Sequence, residues 1–414
     1  MMVNAGSAAC DKTIQRLIGR AARRVFAEGN LTATEQAIAV SLPATQASLS
    51  EYYRLERYAD REEYHARLQT FINAGAVNAD WDRNAGERGQ LARVKMTDPV
   101  AAAELLGTIL PWIVAATATR DLNAVAREGL PSISHIVDGW RHGKAPGGVA
   151  AERASQFVDS MHVIDAAQRQ GAVEQDRLLR RMSAQLFGDT KRIEALARQV
   201  AFLLGESGGS EEDVFARLGL VKHPQPMLLS GSPSTCVQVG KETVPLIRPY
   251  LGLRPDTIES LQVGSEPIRR LLTIENLASF NEAAECTSNS ADLLLIYVAG
   301  NPTPSLLAAY SRLLESAKPL TVMHWGDIDV GGFRIAARLA DSAMSAGHRL
   351  ELWCMNPEES ASAQNEPADK QKIDQIAVIC EKYGWSSELE GLNRHPVFQE
   401  QEFIKWEEPS THGP

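Results

Sequence analysis

The sequence predicts a mixed α and α/β protein with a parallel sheet in its C-terminal part. Strand and helix patterns alternate strictly from about residue 266, whereas helical periodicity dominates the preceding residues. Near the N-terminus a helical stripe is followed by two alternating strand patterns, which indicate a hairpin. Because the turn GKAPGG (143 to 148) interrupts the helical part, we expect three domains, over residues 1–145, 150–265 and 266–414.

Composition limits the possible functions. A chain of 414 residues has room for two or three domains. Its formal charge of −10 argues against a general polyanion binder, so any contact with nucleic acid has to come from local basic patches. Five cysteines without C-x-x-C spacing argue against a zinc site or a disulfide framework. The apolar runs LLLIYVAG and TILPWIVAATA are too short to cross a bilayer, and no signal peptide is evident, so we expect a cytoplasmic protein.

The first region combines a helix with a hairpin. REEYHARLQTFINAG places Tyr64, Leu68, Phe71 and Ile72 on one apolar stripe. AVNADW and LARVKM then alternate as two strands joined across DRNAGERGQ. A helix followed by such a hairpin is the pattern of a winged helix.

Two partners remain open for this winged helix. Its helix begins with the acidic run 60–63 (DREE), which favours docking on a protein. The hairpin carries basic residues that would instead allow contact with phosphates, namely Arg83, Arg88, Arg93 and Lys95.

The second region is predicted to be helical and contains the most basic stretch of the chain, QDRLLRRMSAQLFGDTKRIEALARQVAFLLG. The charges in question are Arg177, Arg180, Arg181, Lys191 and Arg192. They fit either a solvated helix surface around a turn or a phosphate-binding, and hence DNA-binding, face.

The third region predicts a sheet with helices on its faces. RRLLTIE, DLLLIYVAG, LTVMHWGDID and HRLELWCM have strand patterns, and LASFNEAAE, PSLLAAYSRLLESA and FRIAARLADSAMSAG have helical ones. Strict alternation of this kind is typical of a parallel sheet.

Acidic residues follow two of these strands. Glu275 ends the first strand, and Asp327 and Asp329 follow the third, before a pair of glycines that would let a backbone come close. Ligands of parallel sheets gather at the carboxyl ends of the strands, so we expect the three carboxylates to converge at one edge. Such acids repel one another unless a cation neutralises them, and oxygen ligands suit Mg²⁺ or Mn²⁺.

These motifs carry a family resemblance. A strand-end glutamate followed two strands later by Asp-x-Asp and glycine is similar to the Toprim fold of topoisomerases, primases and nucleases. The combination of LFGDTKRIE, TIENLASF, HWGDIDVGGF and FQEQE (398 to 402) resembles the JetD family more closely, over roughly residues 150 to 405. That family, also called MksG, contains the nuclease subunits of Wadjet-type, SMC-like anti-plasmid systems and is related to the topoisomerase VI A subunit.

The resemblance implies a helical arm with a winged helix, a CAP-like helical domain over 150–265 and a Toprim catalytic domain over 266–414. It further implies a homodimer that cleaves double-stranded plasmid DNA, which an SMC-like ATPase with its kleisin and accessory subunits delivers. By motif position, Glu275, Asp327 and Asp329 would be the catalytic, metal-binding acids, with Mg²⁺ or Mn²⁺ as cofactor. Glu402 is a fourth candidate ligand.

One departure from the wider family affects the mechanism. Topoisomerase VI cleaves DNA with a tyrosine of its CAP-like domain, yet this chain has no tyrosine between Tyr64 and Tyr250. We therefore expect metal-activated water as the nucleophile, unless Tyr52 or Tyr53 of the arm takes the tyrosine's place.

Two other classes remain as alternatives. A haloacid-dehalogenase-like phosphatase also has Asp-x-Asp after a strand, but it needs a nucleophilic aspartate where this chain has a strand-end glutamate. A winged-helix/Toprim adaptor would bind DNA without cutting it.

Overall fold

The structure, a computed structural model, describes residues 4–32, 39–82, 90–169, 175–205, 211–287, 290–358 and 366–409. The chain forms two compact units. Unit 1 comprises Met1–His162 and Phe202–Leu204, and unit 2 comprises Val163–Ala201 and Gly205–Pro414.

Unit 1 is mainly helical, with a small antiparallel sheet in the strand order β1-β3-β2. Its elements are α1 (Ala5–Glu28), β1 (Ser41–Pro43), α2 (Ser50–Tyr53), α3 (Tyr58–Asn73), β2 (Val77–Asp82), β3 (Gln90–Met96), α4 (Pro99–Leu106), α5 (Pro111–Val125), α6 (Ser134–Arg141) and α7 (Ser155–Arg169), the last of which contains the division between the units.

The predicted helix and hairpin of unit 1 are present as α3, β2 and β3. Tyr64, Leu68 and Phe71 of the predicted stripe are fully buried, and the Tyr64 hydroxyl donates to Thr13 Oγ1 of α1 at 2.9 Å. The hairpin loop with Arg83 and Arg88 lies outside the described residues. Assignment of these elements to a winged helix stays a prediction.

Unit 2 contains the strand and helix alternation predicted for the third region. Its elements are β4 (Arg177–Leu178), α8 (Leu179–Phe187), α9 (Ala197–Leu203, which ends in unit 1), α10 (Glu211–Arg217), β5 (Leu220–Val221), β6 (Met227–Ser230), β7 (Cys236–Val239), β8 (Glu242–Pro245), β9 (Leu251–Leu253), β10 (Ile258–Gln262), β11 (Arg270–Ile274), α11 (Leu277–Cys286), β12 (Leu293–Tyr297), α12 (Pro304–Ala317), β13 (Thr321–Trp325), α13 (Val330–Ser345), β14 (Leu350–Leu352), β15 (Glu366–Pro367), α14 (Lys370–Tyr383), α15 (Ser386–Arg394) and β16 (Val397–Phe398).

The main sheet of unit 2 has the strand order β14-β13-β11-β12-β6-β9 in the described part of the chain. Strands β11 to β14 are parallel, as the alternation predicted. All five residues of β11 are buried, which is expected for a central strand covered on both faces. The helices α11, α12 and α13 contribute Phe280, Tyr310 and Phe333 to the same core.

The helical character predicted for residues 150–265 holds only to Arg217. The remainder forms short strands, of which β6 and β9 extend the main sheet in antiparallel orientation. The sheet is therefore mixed, and it begins before residue 266. Periodicity did not reveal these strands because each has only two to five residues.

Among the described residues no single helix has the length and apolar character of a membrane span. Taken together, α4 and α5 meet that test, but they are bent by 91° relative to each other.

A buried arginine, Arg270, lies at the start of β11. Arg270 is 5% exposed, and its Nη2 lies 2.7 Å from Asp292 Oδ1 and 3.0 Å from Glu408 Oε1. Its Nη1 donates to the carbonyl oxygen of Pro409. The segment around residue 408 is thus attached to the central strand by charge-assisted hydrogen bonds.

We expect the R270L substitution to destabilise unit 2 by roughly 3 kcal/mol, because it leaves the Asp292 and Glu408 carboxylates without their buried partner. K382L is the matched control, since it breaks the exposed pair of Lys382 with Asp341 and should cost less than about 1 kcal/mol. Urea unfolding measures both. Equal losses for the two variants would show that the buried cluster contributes no more than a surface pair.

Candidate acidic site at the sheet edge

Glu275 is the first residue after β11. Parallel pairing aligns Ile274 with Trp325, and the backbone N–H of Glu275 donates to the Trp325 carbonyl at 3.0 Å. The side-chain Oε2 accepts from the Asp327 backbone N–H at 3.4 Å. Burial, and after it the charge of Asp327, raises the pKa of Glu275 to about 8, so this carboxyl is largely protonated at neutral pH without a cation.

Asp327 lies in the turn after β13. Its Oδ1 accepts from the backbone N–H of Gln401 at 2.7 Å. Burial raises the pKa of Asp327 to about 6, the charges of Glu400, Asp329 and Glu402 act in the same direction, and the Gln401 hydrogen bond opposes them. One carboxylate oxygen is therefore oriented by the main chain, and Oδ2 remains for another ligand.

Asp329 caps the N-terminus of α13. Its Oδ1 accepts from the Gly332 backbone N–H at 2.7 Å. A Cβ atom on Gly332 would lie 2.1 Å from the Asp327 carbonyl oxygen, so only glycine allows this turn to close. The predicted close approach at the glycine pair is thus a contact within the chain itself.

A late segment, Gln399–Glu402, lies across both strand ends. Gln399 and Ile328 form an antiparallel bridge through two backbone hydrogen bonds of 2.8 and 3.1 Å. Asn276, which caps α11, donates its Nδ2–H to Glu402 Oε1 at 2.7 Å. Glu402 therefore lies beside the residue that follows Glu275. Burial, and after it the charges of Glu402 and Asp329, raise the pKa of Glu400.

A buried histidine lies behind these acids. His324 is 0% exposed, and its Nδ1 is 2.9 Å from Thr273 Oγ1. Burial lowers the pKa of His324 to about 3, so the ring is neutral. The space that a Cβ on Gly326 would fill lies 2.8 Å from His324 Nε2 and 2.5 Å from Glu275 Oε2. Only a residue without a Cβ leaves room here for the side chains of both Glu275 and His324.

The donor chemistry of this edge suits a hard divalent cation, because carboxylates are the preferred ligands of Mg²⁺ and Mn²⁺. The pKa values of Glu275 and Asp327 are raised first by burial and then by the charges of neighbouring acids, and an ion would offset the second of these causes. The arrangement is not a finished coordination shell. Across the described ranges, no three histidine, cysteine or acidic side chains are grouped so that together they would hold an ion. Side-chain rearrangement would have to accompany binding.

The predicted DNA-binding charges lie on β4, α8 and the following turn. Arg180, Arg181 and Lys191 are exposed, and Arg177 and Arg192 are half-buried. Arg180 Nε lies 3.5 Å from Glu194 Oε1, and burial lowers the pKa of Arg177. Part of this group has internal partners, and its role in phosphate binding stays a prediction.

Sequence reasoning missed Gln401, His324 and Asn276. Gln401 lies inside the motif FQEQE, but the motif predicts only Glu402 as a ligand, because carboxylates are the usual signal for a metal site. A capping asparagine directly after a strand-end glutamate was a readable signal for the start of α11. Nothing in the pattern around His324 distinguishes it from an ordinary strand residue.

Residues 247–377 match the family model described as Wadjet protein JetD, C-terminal. A curated relative, the Wadjet protein JetD of Bacillus cereus (strain Q1), is 25% identical over 202 residues, which are 47% of this chain and 48% of the relative. The chain spans about half the length of this relative. The family-model range includes the three acids of the two strand ends but not the segment Gln399–Glu402. These matches confirm the family resemblance that the motifs predicted.

The pH dependence of stability reports on Glu275. Its pKa rises from 4.5 in the unfolded chain to about 8, so the folded protein holds an extra proton between those values. We expect stability to fall as pH rises from about 5 to 8, by at most roughly 1.4 kcal/mol per pH unit, and E275Q to reduce this slope. Thermal unfolding in EDTA measures it, with E259Q, on an exposed strand position, as control. If stability depended on pH equally in E275Q and in the wild type, the pKa of Glu275 would not be raised in the folded protein.

Two substitutions at Asp329 separate the effect of its capping hydrogen bond from the effect of its charge. D329N removes the charge but keeps an oxygen that accepts from Gly332, whereas D329A removes both. We expect D329A to be about 1 kcal/mol less stable than D329N, which is the usual value of an N-cap. Urea unfolding of the two variants tests this, and identical midpoints would show that the cap does not stabilise α13.

Proposed function

We propose that this protein, whose residues 247–377 match the family model described as Wadjet protein JetD, C-terminal, is a divalent-metal-dependent DNA endonuclease of a Wadjet-type, SMC-like plasmid-defence complex. The observation that carries the proposal is the convergence of Glu275, Asp327 and Asp329 at the carboxyl edge of a parallel sheet. Carboxylates that repel one another destabilise a fold, so the presence of three of them in one place favours a functional role.

Glu275 and Asp327 are the residues that would hold Mg²⁺ or Mn²⁺, with Asp329 and Glu402 as further ligands. The ion would supply Lewis acidity toward a scissile phosphate and lower the pKa of a bound water. The chain's own contribution is orientation: the Gln401 N–H fixes one oxygen of Asp327, and the Gly332 N–H fixes one oxygen of Asp329. Each aspartate thereby presents its other oxygen without a further loss of side-chain freedom.

Water is the proposed nucleophile. Tyr52 and Tyr53, the two alternative nucleophiles, already have local partners. The Tyr52 hydroxyl lies 3.1 Å from His65 Nε2, and the Tyr53 hydroxyl donates to the Ala44 carbonyl at 2.6 Å. Burial raises the pKa of Tyr52, which makes its phenolate, the form that would attack, less accessible.

The charge of the chain supports delivery of DNA by partners. With a net charge of −10, the isolated protein should capture plasmid weakly, so an SMC-like ATPase with its kleisin and accessory subunits would bring the substrate. We propose that the basic residues around α8 contact phosphates and that the arm over residues 1–145 docks on the partners. We further propose that the protein acts as a cytoplasmic homodimer.

A non-cleaving DNA-binding adaptor is the second candidate. It is favoured by one observation, namely that no three ligands are already grouped for an ion in the described part of the chain. A phosphatase of the haloacid-dehalogenase type is less well supported, because the strand-end residue of β11 is a glutamate with a raised pKa rather than a nucleophilic aspartate.

Cleavage of supercoiled plasmid in Mn²⁺ decides between the nuclease and the adaptor. We expect slow, salt-sensitive conversion to nicked or linear DNA by the purified protein, and loss of several orders of magnitude in D327A. E259A, which removes an exposed acid of β10, is the control and should cut like wild type. Binding without any cleavage, also with the partner complex present, would favour the adaptor, and protein-linked DNA ends would restore the tyrosine mechanism.

A further inference from the structure

We infer that Gln401 is a positioning residue of the acidic site, which fixes the spacing of Glu275 and Asp327 by joining the ends of their two strands. The inference rests on the proposed function, because it concerns how the same carboxylates are held for a cation. It assigns a role to a residue outside the range that matches the family model.

The side chain of Gln401 joins two strand ends that are distant in sequence. It is 0% exposed. Its Oε1 accepts from the Asn276 backbone N–H at 2.8 Å, and its Nε2 donates to the Trp325 carbonyl at 3.2 Å. Asn276 directly follows Glu275, and Trp325 precedes Asp327 by two residues, so one amide contacts the main chain beside both acids.

This contact begins where the strand pairing stops. The ladder between β11 and β13 ends at Ile274 and Trp325, and the last backbone hydrogen bond runs from the Glu275 N–H to the Trp325 carbonyl. Beyond this hydrogen bond, β11 and β13 lead into different turns. The Gln401 carboxamide accepts from the next backbone N–H, that of Asn276, and donates a second hydrogen bond to the Trp325 carbonyl. It therefore links the two strands one residue beyond the end of their ladder, beside the two acids.

The backbone of Gln401 reaches the acid itself. Its N–H donates to Asp327 Oδ1 at 2.7 Å, so this one residue contacts the Asp327 side chain, the Trp325 carbonyl and the Asn276 amide. A glutamine is required for the two side-chain contacts, because a carboxylate lacks the donor, an aliphatic side chain lacks both groups, and a thioether has no donor and only a weak acceptor.

The segment does not depend on this side chain for its place. The bridge between Gln399 and Ile328 holds it on one side. On the other side, Trp406 packs on Trp325 with ring centroids 5.7 Å apart, and Glu408 is bound by Arg270. Replacement of the Gln401 side chain should therefore leave the segment docked and remove only the link between the strand ends.

Q401M tests the inference, because methionine keeps the volume but neither hydrogen bond. Two readouts are measured in parallel: the Mn²⁺ concentration for a half-maximal rise in melting temperature, and that for half-maximal plasmid cleavage. We expect both to increase about tenfold or more, as is typical when a residue that orients a metal ligand is lost. Cleavage should recover toward the wild-type rate at saturating Mn²⁺, which D327A, lacking a ligand, should not do.

F403A is the matched control, since Phe403 is 47% exposed in the same turn and should leave both Mn²⁺ requirements unchanged. Wild-type requirements in Q401M would overturn the positioning role while the proposed nuclease stands. Absence of both Mn²⁺ binding and cleavage in the wild type would overturn the proposed function and this inference with it. If Q401M does not fold, Q401L, which is smaller and also lacks both hydrogen-bonding groups, takes its place. Failure of both to fold would make Gln401 a folding residue and refute the inference.

Discussion

The acidic site depends on the register in which β11 pairs with β13. Parallel pairing aligns Ile274 with Trp325, and the backbone of Glu275 then closes on the Trp325 carbonyl. With that register, Glu275 and the Asp327 turn leave the sheet at the same level. A shift of one residue would point the glutamate to the opposite face. The apolar residues of both strands resist such a shift, because both faces of the sheet are covered and each side chain would have to repack against the opposite layer.

At the same edge, buried carboxylates repel one another, and contacts within the site partly offset this repulsion. Burial and mutual repulsion favour the protonated forms of Glu275 and Asp327, whereas single backbone N–H groups orient Asp327 and Asp329. Without a cation, a proton on Glu275 relieves part of the repulsion. This arrangement keeps the acids together at a moderate cost in stability, and under the proposed function protons and divalent cations would compete for the same oxygens.

Much of this organisation could be predicted from the sequence. The helix α12 begins and ends at the predicted residues, and the strand-end positions of Glu275 and the two aspartates follow from the alternation of patterns. Local patterns could not reveal β6 and β9, which are too short to show periodicity and join the sheet in antiparallel orientation. They also could not reveal Gln401, whose partners are 125 and 76 residues away and whose polar side chain is typical of a surface position.

The bridge from Gln399–Glu402 to the two strand ends bears on the order in which the site forms during synthesis. β11, β13 and their helices precede this segment in the chain, and the pairing of the two strands uses none of its residues. The contacts that orient Asp327 and join it to the Asn276 amide become available only after residue 401 has been made. A nascent chain would thus carry an assembled sheet with an incompletely ordered acidic edge. In a protein proposed to cut DNA, this delay separates folding of the scaffold from completion of the site.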